Sequence, residues 1–204
     1  MSPNDALLPG GRDVRGTLDA ADDAEDATTC VVACPPHPQY RGHRGDARLV
    51  AVSGALTERG TDCLRFDYGD WDGGYGERED ARNAVRWVAE RYDRVGLFGY
   101  SFGGAVAVLA GATVDRDVAA VSVLAPAPRL ADDLDAAAAL ADLDCPARVI
   151  YGERDETVDS TPVAAAARER GDEVVELSAD HFFVGKHDRI GERVGEFFAG
   201  ALPG

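Results

Sequence analysis

A stretch near the middle of the chain, residues 95–107, most constrains what this sequence can fold into. Its sequence is Val-Gly-Leu-Phe-Gly-Tyr-Ser-Phe-Gly-Gly-Ala-Val-Ala, an apolar run followed by very small residues. This order predicts a buried strand that turns sharply at Ser101 and continues as a helix. Gly99 and Gly103 fit such a turn, because side chains two positions from its tip would collide with neighbouring backbone.

The same turn predicts a nucleophile at Ser101. Residues 99–103 match Gly-x-Ser-x-Gly, a motif in which the serine stands exposed on a strained strand-to-helix turn. A helix that begins beside Ser101 directs its unpaired N–H groups and its positive dipole end toward an oxyanion formed there. The alternative is a glycine-rich turn with an idle serine, and the flanking strand and helix patterns favour the nucleophile.

A serine hydroxyl is a poor nucleophile until a base takes its proton, and histidine is the usual base. The chain has four histidines. His181 follows the last predicted strand, from where it can reach Ser101 across a neighbouring strand end, and it is the candidate base. His187 falls in the last predicted helix and His43 in a polar loop, so we interpret both as surface residues.

The base in turn needs a carboxylate to orient it. Asp155 lies three residues after a strand predicted at 147–152, and it gives the order serine, acid, histidine that accompanies the motif described above. Asp159 is its nearest rival among the carboxylates of this segment. Asp180, next to the candidate base, is expected to point away from it.

The strongly acidic composition limits the partners of the chain. There are 37 acidic residues against 21 basic ones, the formal net charge is −16, and Lys186 is the one lysine. This charge argues against nucleic acid and anionic membranes as partners. We interpret the acidic block at residues 22–26 as solvated surface. We hypothesise adaptation to a salt-rich cytoplasm, where screening relieves the self-repulsion of so many like charges.

Cysteine usage predicts a cytoplasmic protein without a metal site. The spacing of the cysteines is not of a metal-binding type, and buried, reduced thiols are expected at Cys30, Cys34, Cys63 and Cys145. The first residues lack the pattern of a signal peptide, and no apolar run reaches membrane-spanning length. A partial match to a calcium loop at residues 68–79 fails because Tyr68 holds its first ligand position. We therefore expect neither a metal nor a cofactor.

Strand and helix signals alternate along the chain, which predicts an α/β fold with a doubly wound, mostly parallel sheet and helices on both faces. We expect one domain over residues 1–204, with residues 1–12 flexible. Strands are predicted at residues 13–19, 28–34, 63–68, 95–100, 118–124, 147–152 and 173–177. Helices are predicted at residues 47–58, 77–92, 130–143 and 161–171, with one more after Ser101 and another near the carboxyl end. In such sheets ligands bind beyond the carboxyl ends of the strands, where Ser101, Asp155 and His181 fall.

With these motifs in place, the chain resembles the α/β-hydrolase superfamily over essentially its whole length. More narrowly, it is similar to the small hydrolases without a lid that are grouped with dienelactone hydrolases and short-chain esterases. The resemblance is carried by residues 99–103, 152–155 and 180–183, by the His37-Pro38 loop, which resembles a His-Gly oxyanion loop, and by residues 76–80.

The resemblance implies a minimal α/β-hydrolase fold without a large cap, and it also implies an oxyanion hole. Phe102 supplies one backbone N–H and Gln39 the other, with Tyr40 as the alternative to Gln39. Pro38 replaces the glycine of the family and has no N–H. Dienelactone hydrolases proper use cysteine as the nucleophile, and Ser101 departs from that pattern.

These observations predict a serine hydrolase of small carboxylic esters or thioesters, acting as a monomer or homodimer through an acyl-enzyme on Ser101. A small apolar pocket is predicted from Tyr40, Tyr68, Trp71 and Phe182, although each aromatic side chain could instead pack beneath a loop. The same three catalytic groups also suit peptidase, lactonase or perhydrolase chemistry. A non-catalytic ligand-binding protein is the remaining alternative, and the presence of all three groups argues against it.

Overall fold

A computed structural model describes residues 4–21 and 27–202, so the acidic block at 22–26 lies outside the described residues. The strands of the described part are β1 (Asp5–Leu7), β2 (Arg15–Asp19), β3 (Thr29–Cys34), β4 (Asp62–Asp67), β5 (Arg94–Tyr100), β6 (Ala120–Leu124), β7 (Arg129–Ala131), β8 (Leu134–Asp135), β9 (Ala147–Gly152) and β10 (Glu173–Leu177). Its α-helices are α1 (Ala47–Thr57), α2 (Tyr75–Ala89), α3 (Phe102–Gly111), α4 (Ala136–Ala139), α5 (Thr161–Arg170) and α6 (His187–Ala201). Short 3-10 helices cover Pro38–Tyr40 and Leu140–Asp142.

Eight of these strands form one sheet in the order β1-β2-β4-β3-β5-β6-β9-β10. The strand β2 runs antiparallel to both of its neighbours. The other six strands of this sheet, β4, β3, β5, β6, β9 and β10, are parallel to one another. The predicted doubly wound, mostly parallel sheet is therefore confirmed. The chain moves from β3 outward to β4 and then returns across β3 to β5. Ser101, which follows β5, thus lies at the switch point where ligands bind in such sheets.

Helices cover both faces of the sheet. On one face α1 and α6 pack against each other, and α2, α3 and α5 lie on the other face. Side chains along β3 alternate between the two faces of the sheet. Cys30, Val32 and Cys34 pack in the core between the sheet and α2–α3, and Val31 and Ala33 pack in the core between the sheet and α1–α6. Every residue of β3 is buried, as expected for a central strand covered on both sides.

The prediction that residues 1–12 are flexible missed an edge strand. Residues Asp5–Leu7 pair antiparallel with β2, and Leu8 is buried. Arg12 Nε donates a hydrogen bond of 2.7 Å to Oδ1 of Asp80, whose side chain is fully buried. The segment is too short to show a strand period, and its partners come from elsewhere in the sequence, so local pattern gave no signal for it.

The helix predicted at residues 130–143 is wrong for its first half, and helical structure begins only at Ala136. The chain instead forms the β7–β8 hairpin, which the Arg129–Asp135 ion pair closes, before the short helix α4. Asp135 ends the hairpin and caps α4, since its Oδ1 accepts from Ala138 N at 2.9 Å. Leu134 is fully buried. Burial of Leu134 and the cap at Asp135 therefore delay the start of the helix to the alanines at 136–139.

All four cysteines are free and buried, as predicted. Burial raises the pKa of the Cys63 thiol to about 12 and that of the Cys145 thiol to about 11, so both stay protonated near neutral pH. Across residues 4–21 and 27–202, no helix combines the length and the apolar character needed to span a bilayer.

Candidate active site

Ser101 occupies the single residue between the end of β5 and the start of α3. Its backbone has φ 57° and ψ −118°, a conformation that is strained for any residue with a side chain. Hydrogen bonds on both sides hold it, because Ser101 N donates to Leu124 O at 2.8 Å and Ser101 O accepts from Ala127 N at 3.2 Å. The predicted turn is therefore present and anchored to the end of β6.

The two motif glycines are required by close backbone contacts. A Cβ atom on Gly99 would lie 2.0 Å from Gly103 O, and one on Gly103 would lie 2.3 Å from the carbonyl oxygens of Cys34 and Pro35. Carbonyl backbone cannot move aside as a flexible side chain could. The steric reason predicted for both glycines is confirmed.

Three side chains predicted from separate parts of the chain meet at this turn. His181 Nε2 lies 3.0 Å from Ser101 Oγ, and His181 Nδ1 lies 2.7 Å from Asp155 Oδ2. All three are buried. The tautomer follows from the partners, because an ionised carboxylate can only accept, so Nδ1 carries the proton and Nε2 is free to accept from the serine hydroxyl.

Asp155 is fixed on its strand end by its own backbone contacts. Its Oδ1 accepts from Thr157 N and Val158 N, each at 2.9 Å, which leaves Oδ2 for the histidine. The rival carboxylates are occupied elsewhere. Asp159 accepts from Thr161 N at 3.0 Å, and Asp180 accepts from the backbone of the loop that follows it.

The other histidines lie outside this hydrogen-bonded chain. His43 is exposed and accepts from Gly45 N at 3.0 Å. His187 is the first residue of α6, and its Nε2 faces Phe182 O at 3.3 Å. Both positions agree with the surface interpretation.

The predicted oxyanion donors differ in their availability. Phe102 is the first residue of α3, so its N–H lacks a partner within the helix and points out of the helix end. Gln39 N donates to His37 Nδ1 at 3.3 Å, and Tyr40 N donates to His37 O at 3.0 Å. Both alternatives for the second donor are thus engaged inside one 3-10 turn, and the Gln39 bond is the longer of the two. Pro38, within that turn, has no N–H.

Of the four predicted pocket residues, Tyr40 and Phe182 line the cleft, whereas Trp71 and Tyr68 do not. Tyr40 and Phe182 line a cleft of about 500 Å³ beside Ser101, with 83% and 53% of their respective surfaces exposed. Trp71 stacks on the His37 ring with centroids 4.5 Å apart. Tyr68 is buried and donates from its hydroxyl to Pro35 O at 3.1 Å, so it packs under the site instead of lining the cleft.

Sequence reasoning missed several residues in the wall of the same cleft, among them Tyr100, Arg41, Arg48 and Thr157. Tyr100 stands inside the serine motif, and its position beside Ser101 was an available signal. The arginines come from the loop after β3 and from the first turn of α1. Nothing local in the sequence separates them from the many surface arginines.

Comparison with known proteins gives one family match. The model of the dienelactone hydrolase family matches residues 72–187, which is more than half of the chain and includes Ser101 and Asp155 as well as His181. No curated protein sequence matches the chain.

Solved structures extend the similarity to the whole fold. An α/β serine hydrolase homologue from Coxiella burnetii is 25% identical, with a TM-score of 0.80 over 98% of this chain and 99% of that chain. A serine hydrolase without a lid from Xanthomonas campestris is 23% identical, with a TM-score of 0.83 over 100% of this chain and 98% of that one. A dienelactone hydrolase from Anabaena variabilis is 22% identical, with a TM-score of 0.77 over 96% and 95% of the two chains. The last two identities are low and show a common fold only.

Proposed function

The chain belongs to the dienelactone hydrolase family, whose members are hydrolases, and we propose that it cleaves small carboxylic esters or thioesters through an acyl-enzyme on Ser101. One observation carries this proposal. Ser101 Oγ, the His181 ring and the Asp155 carboxylate are connected by contacts of 3.0 and 2.7 Å at the strained turn. This is the arrangement that converts a serine hydroxyl into a nucleophile.

Acylation begins when His181 Nε2 takes the proton of Ser101 Oγ as the oxygen attacks the carbonyl carbon of the ester. The new C–O bond pushes electrons onto the carbonyl oxygen, and the resulting oxyanion accepts from Phe102 N–H. The Asp155 carboxylate stabilises the imidazolium and keeps its orientation. Collapse of the intermediate breaks the bond to the leaving alcohol or thiol, which takes the proton from Nε2.

Deacylation repeats these steps with water as the nucleophile. His181 takes a proton from the water, the hydroxide attacks the acyl carbon, and Ser101 leaves with the proton returned from Nε2. A second oxyanion donor from Gln39 N–H requires that this group leave its 3.3 Å bond with His37 Nδ1. A developing negative charge is a stronger acceptor than a neutral imidazole, so the exchange is favourable as charge forms.

The cysteines support serine as the nucleophile here, in contrast to dienelactone hydrolases proper. Cys34 lies at the end of β3 beside the turn, and its carbonyl oxygen would lie 2.3 Å from a Cβ atom on Gly103. Burial raises the pKa of the Cys34 thiol well above its usual value, so no thiolate forms near neutral pH. Ser101 is the nucleophile that the histidine contacts.

The cleft supports a small ester as the substrate. Its volume is about 500 Å³, and its rim is exposed at Tyr40 and Phe182. Aromatic side chains in the wall provide apolar surface for a short acyl or alcohol group. We expect hydrolysis to fall as the acyl chain outgrows the cleft.

The test is intact-mass analysis after exposure to a fluorophosphonate, which bonds to activated serines. We expect one adduct on the wild type and none on Ser101→Ala or His181→Ala. Matched controls are Ser178→Ala and His43→Ala, which remove an exposed serine and an exposed histidine outside the hydrogen-bonded chain, and both should still label. A folded wild type without an adduct would refute the proposal and favour a binding protein.

Substrate assays complete the test. We expect p-nitrophenyl esters and a thioester series to be hydrolysed with a preference for short acyl groups. Labelling without turnover of any ester, but with turnover of peptides, lactones or peracids, would replace the ester proposal with one of those chemistries on the same residues.

A further inference from the structure

The loop that carries His181 is irregular, yet the histidine must hold two contacts at once. The loop runs from the end of β10 at Leu177 to the start of α6 at His187. Phe182 and Val184 on either side of the buried Phe183 are exposed, and Phe183 has a positive φ of 53°. The position of the ring therefore depends on contacts that neighbouring elements make with the loop.

We propose that Tyr100 and Arg48 are positioning residues that clamp the backbone of the histidine loop and so keep His181 in line with Ser101. This proposal deepens the proposed function and rests on it. The two residues reach successive carbonyl groups of the loop from β5 and α1, which are elements of the rigid core.

Tyr100 supplies the first contact of the clamp. Its hydroxyl donates to the backbone carbonyl of His181 at 2.9 Å, and its ring centroid lies 5.3 Å from that of the imidazole. Tyr100 is itself buried, and it immediately precedes Ser101. The same strand end therefore positions both the nucleophile and the base. Burial raises the pKa of the Tyr100 hydroxyl, so it remains a protonated donor near neutral pH.

Arg48 supplies the second contact and supports the first. Its Nη1 donates to Phe182 O at 3.3 Å, and its guanidinium carbon lies 4.4 Å from the centroid of the Tyr100 ring. A guanidinium over an aromatic face is attracted by the ring quadrupole, and this attraction also limits the movement of the tyrosine. The clamp therefore restrains both the carbonyl of the base and the carbonyl of the next residue.

Asp46 holds the arginine in place. Its Oδ1 accepts from Arg48 Nε at 2.8 Å and from Arg48 N at 2.9 Å, and Oδ2 pairs with Nη2. The same carboxylate is the N-cap of α1. A bidentate ion pair anchored to a helix end fixes the guanidinium plane in a way that a flexible cation would not.

The remaining polar groups of the loop are held independently. Asp180 Oδ1 accepts from Phe182 N at 3.0 Å and from Phe183 N at 3.1 Å. These bonds fix the local turn. The start of the loop is also bound to the segment that carries the acid, because Arg154 N donates to Ala179 O at 3.0 Å and Ser178 Oγ donates to Glu153 Oε1 at 2.8 Å. Tyr100 and Arg48 act at His181 itself and at the next residue, and Tyr100 connects them directly to the strand end that carries the serine. A displacement of 1 Å in such a geometry can cost about 100-fold in rate.

The experiment uses Tyr100→Phe, which removes only the hydroxyl, and Arg48→Gln, which removes the guanidinium. For each we would measure kcat and KM on a p-nitrophenyl ester, the rate constant of fluorophosphonate labelling, and the melting temperature. We expect Tyr100→Phe to lower kcat and the labelling rate about tenfold. KM should stay unchanged, because the variant keeps the ring in the cleft wall and loses only the hydroxyl that donates to His181 O. Arg48→Gln should lower both rates by a similar factor. Because Arg48 also lines the cleft, KM is not used to judge this variant.

Matched controls separate positioning from general loss of stability. Tyr92→Phe removes a tyrosine hydroxyl that donates to Asp62 at the opposite end of the sheet, and Arg59→Gln removes an exposed arginine bound to a carbonyl of α1. Both should keep the kcat of the wild type. Because the two clamp residues restrain one loop, the double variant should lose less than the product of the single losses.

The outcomes distinguish the clamp from the function on which it rests. A wild type that labels, together with Tyr100→Phe labelling at the same rate, overturns the clamp alone. A loss of kcat that is matched in Tyr92→Phe also overturns it, since the effect would then follow stability. A wild type that neither labels nor hydrolyses esters overturns the proposed function, and the clamp with it.

Discussion

Asp155 and His181 are joined by a 2.7 Å contact between Oδ2 and Nδ1, although 26 positions separate them in the sequence. The contact exists because β9 and β10 are parallel neighbours whose carboxyl ends coincide, with Gly152 paired to Leu177. Asp155 and His181 each lie a few residues after the end of their strand. The sheet register therefore brings the acid and the histidine together, and the serine reaches the same place from β5.

Replacing Asp155 by asparagine should leave the fold intact and lower kcat/KM roughly 10³- to 10⁴-fold. An asparagine can still accept from Thr157 N, but its amide no longer favours the tautomer in which His181 Nε2 accepts. Steady-state hydrolysis of a p-nitrophenyl ester provides the measurement. Asp159→Asn is the control and should retain activity, and the opposite ranking of the two variants would transfer the role to Asp159.

The glycines give a prediction about stability. Gly103→Ala should prevent folding or strongly lower the melting temperature, because its Cβ would lie 2.3 Å from two carbonyl oxygens. Gly54→Ala is the matched control, since no atom lies within 4 Å of its added Cβ and it sits inside α1. That variant should gain about 0.5–1 kcal/mol of unfolding free energy. Equal effects of the two changes in denaturant titrations would contradict the steric explanation.

Arg12→Met should destabilise the protein by about 3–5 kcal/mol, the usual cost of leaving a buried charge without its partner. Asp80 is fully buried and loses the 2.7 Å contact with Arg12 Nε, so only its bond from Gly69 N remains. Arg15→Met is the control, because its ion pair with Asp13 is exposed. Urea unfolding measures both. A loss no larger than that of Arg15→Met would mean that the amino-terminal segment is not anchored as described.

His37 predicts a dependence of stability on pH. Burial of its stacked ring lowers the pKa of His37 below 6.5, and the opposing effect of Glu77 is smaller. The folded state then binds fewer protons than the unfolded state as the pH approaches 6.5, so this contribution to stability is present above that pH and is lost on acidification through the lowered pKa. Melting temperatures between pH 8 and pH 5 should fall less in His37→Asn than in the wild type. A parallel fall in both would contradict the assignment.

The net charge of −16 predicts stabilisation by salt. Screening of like charges should raise the melting temperature in molar KCl relative to dilute buffer. KCl is preferable to a sulfate, because sulfate strengthens apolar burial by itself. An unchanged melting temperature would remove the hypothesis of adaptation to salt.

The sequence by itself determined the features that depend on local pattern. The apolar run before Ser101 and the small residues after it predicted the strand, the turn and the helix, and the steric demand on Gly99 and Gly103 is visible as contacts of 2.0 and 2.3 Å. The order of strands and helices predicted a parallel sheet, and a parallel sheet brings carboxyl ends of strands to one edge. This reasoning was enough to select Asp155 and His181.

Only the tertiary structure decided the features made by contacts between distant segments. The strand Asp5–Leu7 forms because its backbone pairs with β2 at the edge of the sheet. Residues 129–135 fold as a hairpin and not as part of the predicted helix, because Leu134 packs into a buried site. The contact of Arg48 with Tyr100 joins α1 to β5. Local periodicity carries no information about such partners, because their energies come from groups that meet only when the sheet has formed.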